Sequence, residues 1–107
     1  MTETGTEVRA EIRLPTQELR DDLPFYTKVL GFRLDMIFPA DNPQVAVLSG
    51  HGLRLRIEKG ATEAPATLRI LTDDPGFAGG SKALTAPNGT RIEVDELNPP
   101  VVTPATE

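Results

Sequence analysis

Apolar and polar residues alternate along several stretches of the chain, as they do in strands that have one buried and one solvated face. Residues 8–14 place Ile12 and Leu14 on one side and Glu11 and Arg13 on the other. Alternating or mainly apolar stretches follow at five later places, at 32–38, 45–48, 53–58, 66–71 and 90–95. The pattern therefore predicts six strands, each with one face turned to a core.

One segment between the first two strands has helical spacing instead. Its apolar residues recur three or four positions apart and form one stripe, which comprises Leu23, Phe25, Tyr26, Val29 and Leu30. Asp21 or Asp22 is expected to cap this helix, Pro24 suits its first turn, and Gly31 suits a left-handed end. We expect a helix of about two turns that lies against the sheet.

The helix and the strand after it carry a family resemblance. The segment Leu23-Pro-Phe-Tyr-Thr-Lys-Val-Leu-Gly-Phe32 resembles the vicinal oxygen chelate superfamily, which includes glyoxalases, bleomycin-resistance proteins and extradiol dioxygenases. Ala86-Pro-Asn-Gly-Thr-Arg-Ile-Glu-Val94 is similar to the closing turn and strand of that family. The resemblance implies an α+β fold with a strand-helix-three-strand module.

The second half of the chain departs from this family pattern. Two further strands are expected there, at 66–71 and 90–95, but the glycine-rich stretch from Asp74 to Asn88 is too short for a helix and two more strands. We therefore expect a truncated second module. A complete cup would then need a partner chain, which favours a homodimer.

Composition limits the classes of partner. Eleven basic and sixteen acidic residues give a net charge of −5, which opposes binding to nucleic acid or to anionic membranes. The chain has no cysteine and no long apolar run, so a cytoplasmic location is the expectation. Residues 1–7 are expected to be a disordered tail, 8–97 the glyoxalase-like domain, and 98–107 a proline-rich tail or linker.

Charged residues are predicted on the strand faces that line the cup in this family. The candidate ligand-binding residues are Arg13, Arg54, Arg56 and Arg69, because a planar guanidinium can hold a carboxylate or phosphate with two hydrogen bonds. The alternative for these arginines is a solvated sheet face.

Two carboxylates are candidate metal ligands. The resemblance implies that Glu11 takes the position of the first-strand ligand and Glu93 that of the closing glutamate. The fifth-strand position falls to Thr67 or Arg69, and the end of the fourth strand offers Arg56 or Glu58. Without histidine, this set would suit only a hard ion such as Mg²⁺ or Mn²⁺, and arginine cations compete for the same oxygens. The other interpretation is that both glutamates pair with arginines on neighbouring strands, so no cofactor is expected, although a divalent metal stays possible.

Three functions follow from these residues. The leading one is a bleomycin-resistance-like protein that binds a small polar or anionic ligand without metal. The second is a metal-dependent lyase, isomerase or dioxygenase, and the third is a non-catalytic interaction module of a larger, cupin-containing protein. Whether the protein is an enzyme is left open.

Other polar residues are interpreted as turns. His51 lies between glycines and is expected to be an exposed turn residue, and Asp73-Asp74 and Asn88-Gly89 indicate turns. A second feature favours self-association, because a large apolar patch is seldom left open on a monomer. The residues expected to form such a patch are Met36, Ile37, Phe38 and Leu48.

Overall fold

A computed structural model describes residues 7–97 of the chain. The expectations for residues 1–6 and 98–107 lie outside this range. The strands are β1 (Ile12–Thr16), β2 (Arg33–Phe38), β3 (Val45–Gly50), β4 (Leu53–Lys59), β5 (Thr67–Thr72), β6 (Ala83–Thr85) and β7 (Arg91–Glu96). The helix α1 spans Leu19–Pro24 and continues into a π-helical turn at Phe25–Val29, and Phe77–Gly80 forms a 3₁₀ turn.

The first sheet confirms the predicted strand-helix-three-strand module. Its strand order is β1-β4-β3-β2. β1 runs parallel to β4, with Ile12 opposite Leu55, and the other neighbours are antiparallel. The β2–β3 register shifts between Leu34 and Met36, which leaves Asp35 at a β-bulge.

The second sheet is shorter and has the order β5-β7-β6. β5 and β7 are the two further strands that the sequence predicts, and they pair in parallel. The structure adds β6, a three-residue strand antiparallel to β7 that the sequence analysis missed. Between β5 and β6 the chain forms only a 3₁₀ turn, so the second module is truncated as expected.

The start of α1 differs from the prediction. Glu18 is the N-cap residue, one turn before Asp21 and Asp22, and its side chain makes no capping hydrogen bond. Asp22 is instead buried inside the helix, where its carboxylate accepts a hydrogen bond from the Thr16 hydroxyl. The capping prediction was wrong because a nearby strand residue competes for this carboxylate. The predicted end is confirmed by Gly31, at φ +80°.

One hydrophobic core connects the helical segment with both sheets. Tyr26 and Leu30 are fully buried against Leu55 of β4 and Ile92 of β7. Each fully buried aliphatic side chain contributes about 1.5–3 kcal/mol of burial free energy relative to exposure. The two sheets are therefore held by the same apolar cluster.

Phe77 lies in the 3₁₀ turn between β5 and β6. It is partly buried against the core, and its ring lies edge-on to His51 with 5.6 Å between the ring centroids. On its other side His51 meets Phe32 at 5.0 Å, and its Nε2 donates to the Leu30 carbonyl. His51 is an exposed turn residue as predicted, but its ring also joins the hairpin to the truncated module.

The predicted apolar patch forms only in part. Alternation puts Met36 and Phe38 on one face of β2, whereas Ile37 faces the core side and Leu48 is fully buried. Met36 is 48% exposed, so only part of the expected patch remains. Within residues 7–97, no helix is long and apolar enough to cross a membrane.

Candidate functional site

The first sheet has one face that does not belong to the core, and we call it the open face. Strand alternation places charged, polar and apolar side chains of all four strands on it. Register puts Arg13 beside Arg56, and Arg56 beside Val47. The open face comprises Arg13, Arg33, Asp35, Met36, Phe38, Val45, Val47, Ser49, Arg54, Arg56 and Glu58.

Arg54 is the centre of an ion-pair chain on this face. Its Nε lies 3.0 Å from a carboxylate oxygen of Glu11, and its Nη1 lies 3.4 Å from Asp35. Asp35 in turn pairs with Arg33 at 2.8 Å. The side chains of Arg54 and Asp35 are 20% and 14% exposed, so the centre of the chain is largely shielded from water.

The position of Asp35 follows from strand alternation and the bulge in β2. Alternation puts Arg33 and Asp35 on the same side as Ser49 and Arg54, and the extra residue brings Met36 and Phe38 to that side as well, opposite Val47 and Val45. A hydrogen bond from Arg33, helped by Ser49, holds the pKa of Asp35 below its ordinary value. Asp35 is therefore an anion at neutral pH that positions two guanidinium groups.

Arg56 lies over an apolar floor. Its guanidinium carbon is 5.4 Å from the centroid of the Phe38 ring, which is the geometry of a cation–π contact. Val47, its neighbour on β3, is 2% exposed. Arg56 also pairs with Glu58 at 2.9 Å. This part of the open face combines a planar cation with an aromatic ring, above an aliphatic side chain that is already covered.

Arg13 lies at the margin of the open face. It pairs with Glu63 of the β4–β5 loop at 2.6 Å, and both side chains are well exposed, at 51% and 40%. The hydrogen bond from Arg13 lowers the pKa of Glu63. Exposed pairs of this kind contribute only about 0.2–1 kcal/mol, so Arg13 is easily redirected to another anion.

Arg69 is not brought together with the other three arginines. It lies on the second sheet, where it pairs with Asp95 at 2.8 Å and is opposite Glu93 in register. The backbone amide of Glu96 and the Arg69 guanidinium lower the pKa of Asp95. Among the described residues, the carboxylate that pairs with Arg69 does not pair with Arg13, Arg54 or Arg56.

The two candidate metal ligands are also separated. Glu11 accepts a hydrogen bond from Arg54 next to the first sheet, and Glu93 lies on the second. No three histidine, aspartate or glutamate side chains in residues 7–97 are grouped as a metal site would require. The donors in one chain therefore do not fit a divalent metal.

Sequence reasoning missed Arg33, Asp35 and Phe38. The alternation of Arg33, Leu34 and Asp35 carried a signal for one solvated face. No local sequence pattern predicts the register shift at the bulge. The same is true of the strand pairing that brings Asp35 to Arg54. With Asp35 and Glu63 included, every guanidinium on the open face has a carboxylate partner.

A second polar group joins the two halves of the chain, and we call it the junction cluster. Its centre is Asn88, whose Oδ1 accepts hydrogen bonds from the Tyr26 hydroxyl and the Thr90 amide, both at 3.1 Å. Its Nδ2 donates to the Pro15 carbonyl at 2.8 Å. Tyr26 is fully buried, and burial raises its pKa. The predicted Asn88-Gly89 turn thus links β1, the helical segment and β7.

Two clefts lie away from the open face. One, of about 360 Å³, borders the truncated module and includes Phe77, Val94 and Leu97. The other, of about 580 Å³, lies beside the junction cluster. Neither cleft is lined by Arg13, Arg54, Arg56 or Arg69.

No family model matches the sequence, and no match was found among curated protein sequences. Solved structures do match. A bleomycin-binding protein from Streptomyces verticillus, complexed with copper(II)-bleomycin, shares 14% identity and has a TM-score of 0.59, over 85% of this chain and 97% of its own. TnmS3, an antibiotic-binding protein from a Streptomyces species, has 14% identity and a TM-score of 0.64, over 88% and 98%.

A lactoylglutathione lyase from Agrobacterium tumefaciens is similar at 13% identity with a TM-score of 0.60, over 86% of this chain and 96% of its own. These proteins share architecture with the chain at low sequence identity. The chain therefore has the glyoxalase/bleomycin-resistance fold, and the resemblance to the vicinal oxygen chelate superfamily is confirmed at the level of the fold.

Proposed function

We propose that this protein binds a small polar or anionic molecule at the open face of the first sheet, centred on Arg54 and Arg56. The observation that carries the proposal is the position of Arg56, with its guanidinium against Phe38 and beside the buried Val47. Small-molecule sites typically combine apolar surface with a few fixed polar groups. A ligand with a flat apolar body and an acidic or polar group matches this arrangement.

Ligand binding here is an exchange of partners. The guanidinium groups already have carboxylate partners in Glu11, Asp35 and Glu58. An incoming carboxylate or phosphate must therefore replace one of them, and the Arg56–Glu58 pair is the more exposed and easier to open. Arg54, held from two sides, keeps its orientation and positions the ligand.

A partner chain is proposed to complete the cup as a homodimer. In one chain the open face belongs to the first sheet, whereas Arg69 lies on the second. The core-facing residues of both sheets belong to one cluster, so the face that carries Arg54 and the face that carries Arg69 both point away from this core. We propose that Arg69 contributes to a cup formed between two chains rather than within one.

A cytoplasmic location stays a prediction.

The class of ligand has support from two structural neighbours. One is described as a bleomycin-binding protein in complex with copper(II)-bleomycin, and another as an antibiotic-binding protein. Both bind a small molecule on this fold. A shared fold hosts many functions, so the ligand must be identified by experiment.

The similarity to a lactoylglutathione lyase favours one alternative, a metal-dependent enzyme that uses Glu11 and Glu93. Those carboxylates do not meet in one chain, so this alternative requires the dimer to bring them together. Native mass spectrometry of protein purified without chelator tests it. Stoichiometric divalent metal that is lost in Glu93→Ala would favour the enzyme.

The binding proposal is tested by thermal shift against copper(II)-bleomycin and a panel of aromatic carboxylates and phosphates. A ligand at about 100 times its Kd stabilises the folded state by ~2.7 kcal/mol, which is ~10–20 °C for a domain of this size. Arg56→Gln should abolish the shift. Arg20→Gln is the matched control, because Arg20 is 87% exposed on the helix. An equal loss in both variants, or a shift that Arg56→Gln leaves intact, would contradict this site.

A further inference from the structure

The cleft of about 580 Å³ lies where β1, α1, the end of β4 and the turn before β7 meet. Its volume is within the range of small-molecule sites, ~300–1,000 Å³. We call it the junction cleft, and its polar lining includes Thr16, Glu18, Asp21, Asp22, Lys59 and Asn88. None of these residues belongs to the open face.

The charge of the junction cleft is negative. Three carboxylates line it, those of Glu18, Asp21 and Asp22, against the single ammonium of Lys59. Lys59 lies 3.9 Å from Glu18, the long end of an ion pair. The excess of carboxylates attracts a cation, and the loosely held Lys59 is the group that a bound cation would replace.

Asp22 supplies an independent reason to expect a ligand. The residue is 1% exposed. Its Oδ2 accepts the Thr16 hydroxyl hydrogen bond, but its Oδ1 has no hydrogen-bond partner among the described residues. Buried polar atoms are nearly always satisfied, and an exception calls for an explanation such as a missing partner molecule.

The neighbouring polar side chains of Thr16 and Asn88 do not satisfy this oxygen. The Thr16 hydroxyl already accepts from the Glu18 amide and donates to Asp22. Both Nδ2 and Oδ1 of Asn88 are engaged in the junction cluster. The Asn88 backbone amide also lies near the Asp22 carboxyl. It lowers the pKa that burial raises, but its geometry is not that of a hydrogen bond to Oδ1.

We propose that the junction cleft binds a small organic cation, an ammonium or guanidinium group that donates an N–H hydrogen bond to Oδ1 of Asp22. Glu18 and Asp21 lie at the rim and balance the rest of the charge. The cation displaces the Lys59 ammonium from Glu18 and reaches the floor of the cleft. This site is distinct from the arginines of the open face and does not depend on the function proposed for them.

The test uses methylguanidinium as the probe and the full-length protein labelled with ¹⁵N. Backbone amide shifts are followed as the probe is added, and tetramethylammonium, which has the charge but no N–H group, is the comparison. We expect saturable shifts at Thr16, Asp22, Gly60 and Asn88, with much weaker binding of tetramethylammonium. Equal affinity for both cations, or no saturable shift, would overturn the proposal.

Three variants complete the design. Asp22→Asn should weaken binding about tenfold or more, the effect of one charge-assisted hydrogen bond, whereas Asp41→Asn makes the same charge change in an exposed loop and should leave affinity within about twofold. Lys59→Gln removes the competing ammonium and should strengthen binding, which keeps the proposal testable if Asp22→Asn does not fold. Unchanged affinity in both Asp22→Asn and Lys59→Gln would refute it.

Discussion

The most demanding prediction concerns the stability of a variant at Asn88, because this one side chain connects β1, the helical segment and β7. Asn88→Ala removes the hydrogen bonds from the Tyr26 hydroxyl and the Thr90 amide and the bond to the Pro15 carbonyl. Each such bond contributes about 1 kcal/mol net. The free energy of unfolding should therefore fall by ~3 kcal/mol, because the fully buried Tyr26 hydroxyl also loses a partner.

Urea unfolding followed by circular dichroism measures this loss. With an m-value of ~1.5 kcal/mol/M, the midpoint should fall by ~2 M. Tyr26→Phe removes a single hydrogen bond and should cost about 1 kcal/mol. In the double variant the two effects should be less than additive by about 1 kcal/mol, since both remove the same contact.

Asn42→Ala is the control, since the Asn42 side chain is exposed in a loop and makes none of these contacts. It should change stability by no more than ~0.5 kcal/mol. A loss below ~1 kcal/mol in Asn88→Ala, or strict additivity with Tyr26→Phe, would show that the junction cluster does not stabilise the contact between the two halves.

Three further predictions concern other parts of the molecule. Burial raises the pKa of Asp22, so the folded state keeps this proton to higher pH than the unfolded chain, and the contribution of Asp22 to stability falls as pH rises from about 4 through the folded-state pKa; Asp22→Asn should remove that fall, and parallel pH–stability curves for the two proteins would contradict this. Gly50→Ala places a Cβ 3.2 Å from the Phe32 Cα and 3.1 Å from its ring, so it should destabilise by ~1–3 kcal/mol in urea, and an unchanged midpoint would show that Phe32 can move away from Gly50 without cost. Phe77→Ala should lower stability by about 2 kcal/mol, since the ring is only partly buried, and should shift the ring protons of His51 in the NMR spectrum; an unmoved His51 signal would argue against their contact.

The first module was predictable because its signals are local. The alternation of Ile12 and Leu14, the apolar stripe around Tyr26 and the stop at Gly31 each depend on a few neighbouring residues. β6 was missed since three residues between a glycine-rich turn and a proline carry too little pattern. The helix start was missed because Asp22 looks like a cap in sequence but is bound by Thr16 in space.

The strand face on which the candidate site lies was predictable from the sequence, but the ion-pair partners of its arginines were not. Alternation correctly places Arg54 and Arg56 on one side of β4, opposite the core. Their partners depend on which strands are neighbours, and no local pattern encodes that order. The same limit applies to Arg69. Strand alternation predicted it in one cup with the other arginines, although it belongs to the second sheet.

The parallel pairing of β1 with β4 bears on how the chain assembles. β2, β3 and β4 are joined by short connections and pair antiparallel in sequence order, whereas Ile12 must find Leu55 across the whole helix and meander. Closing a long loop carries an entropic penalty that local hairpins avoid, and non-local pairings slow folding. We expect β1, the first strand of its sheet to be synthesised, to be the last to dock. Until β4 has been synthesised, the apolar side of β1 has no partner strand beside which to pack.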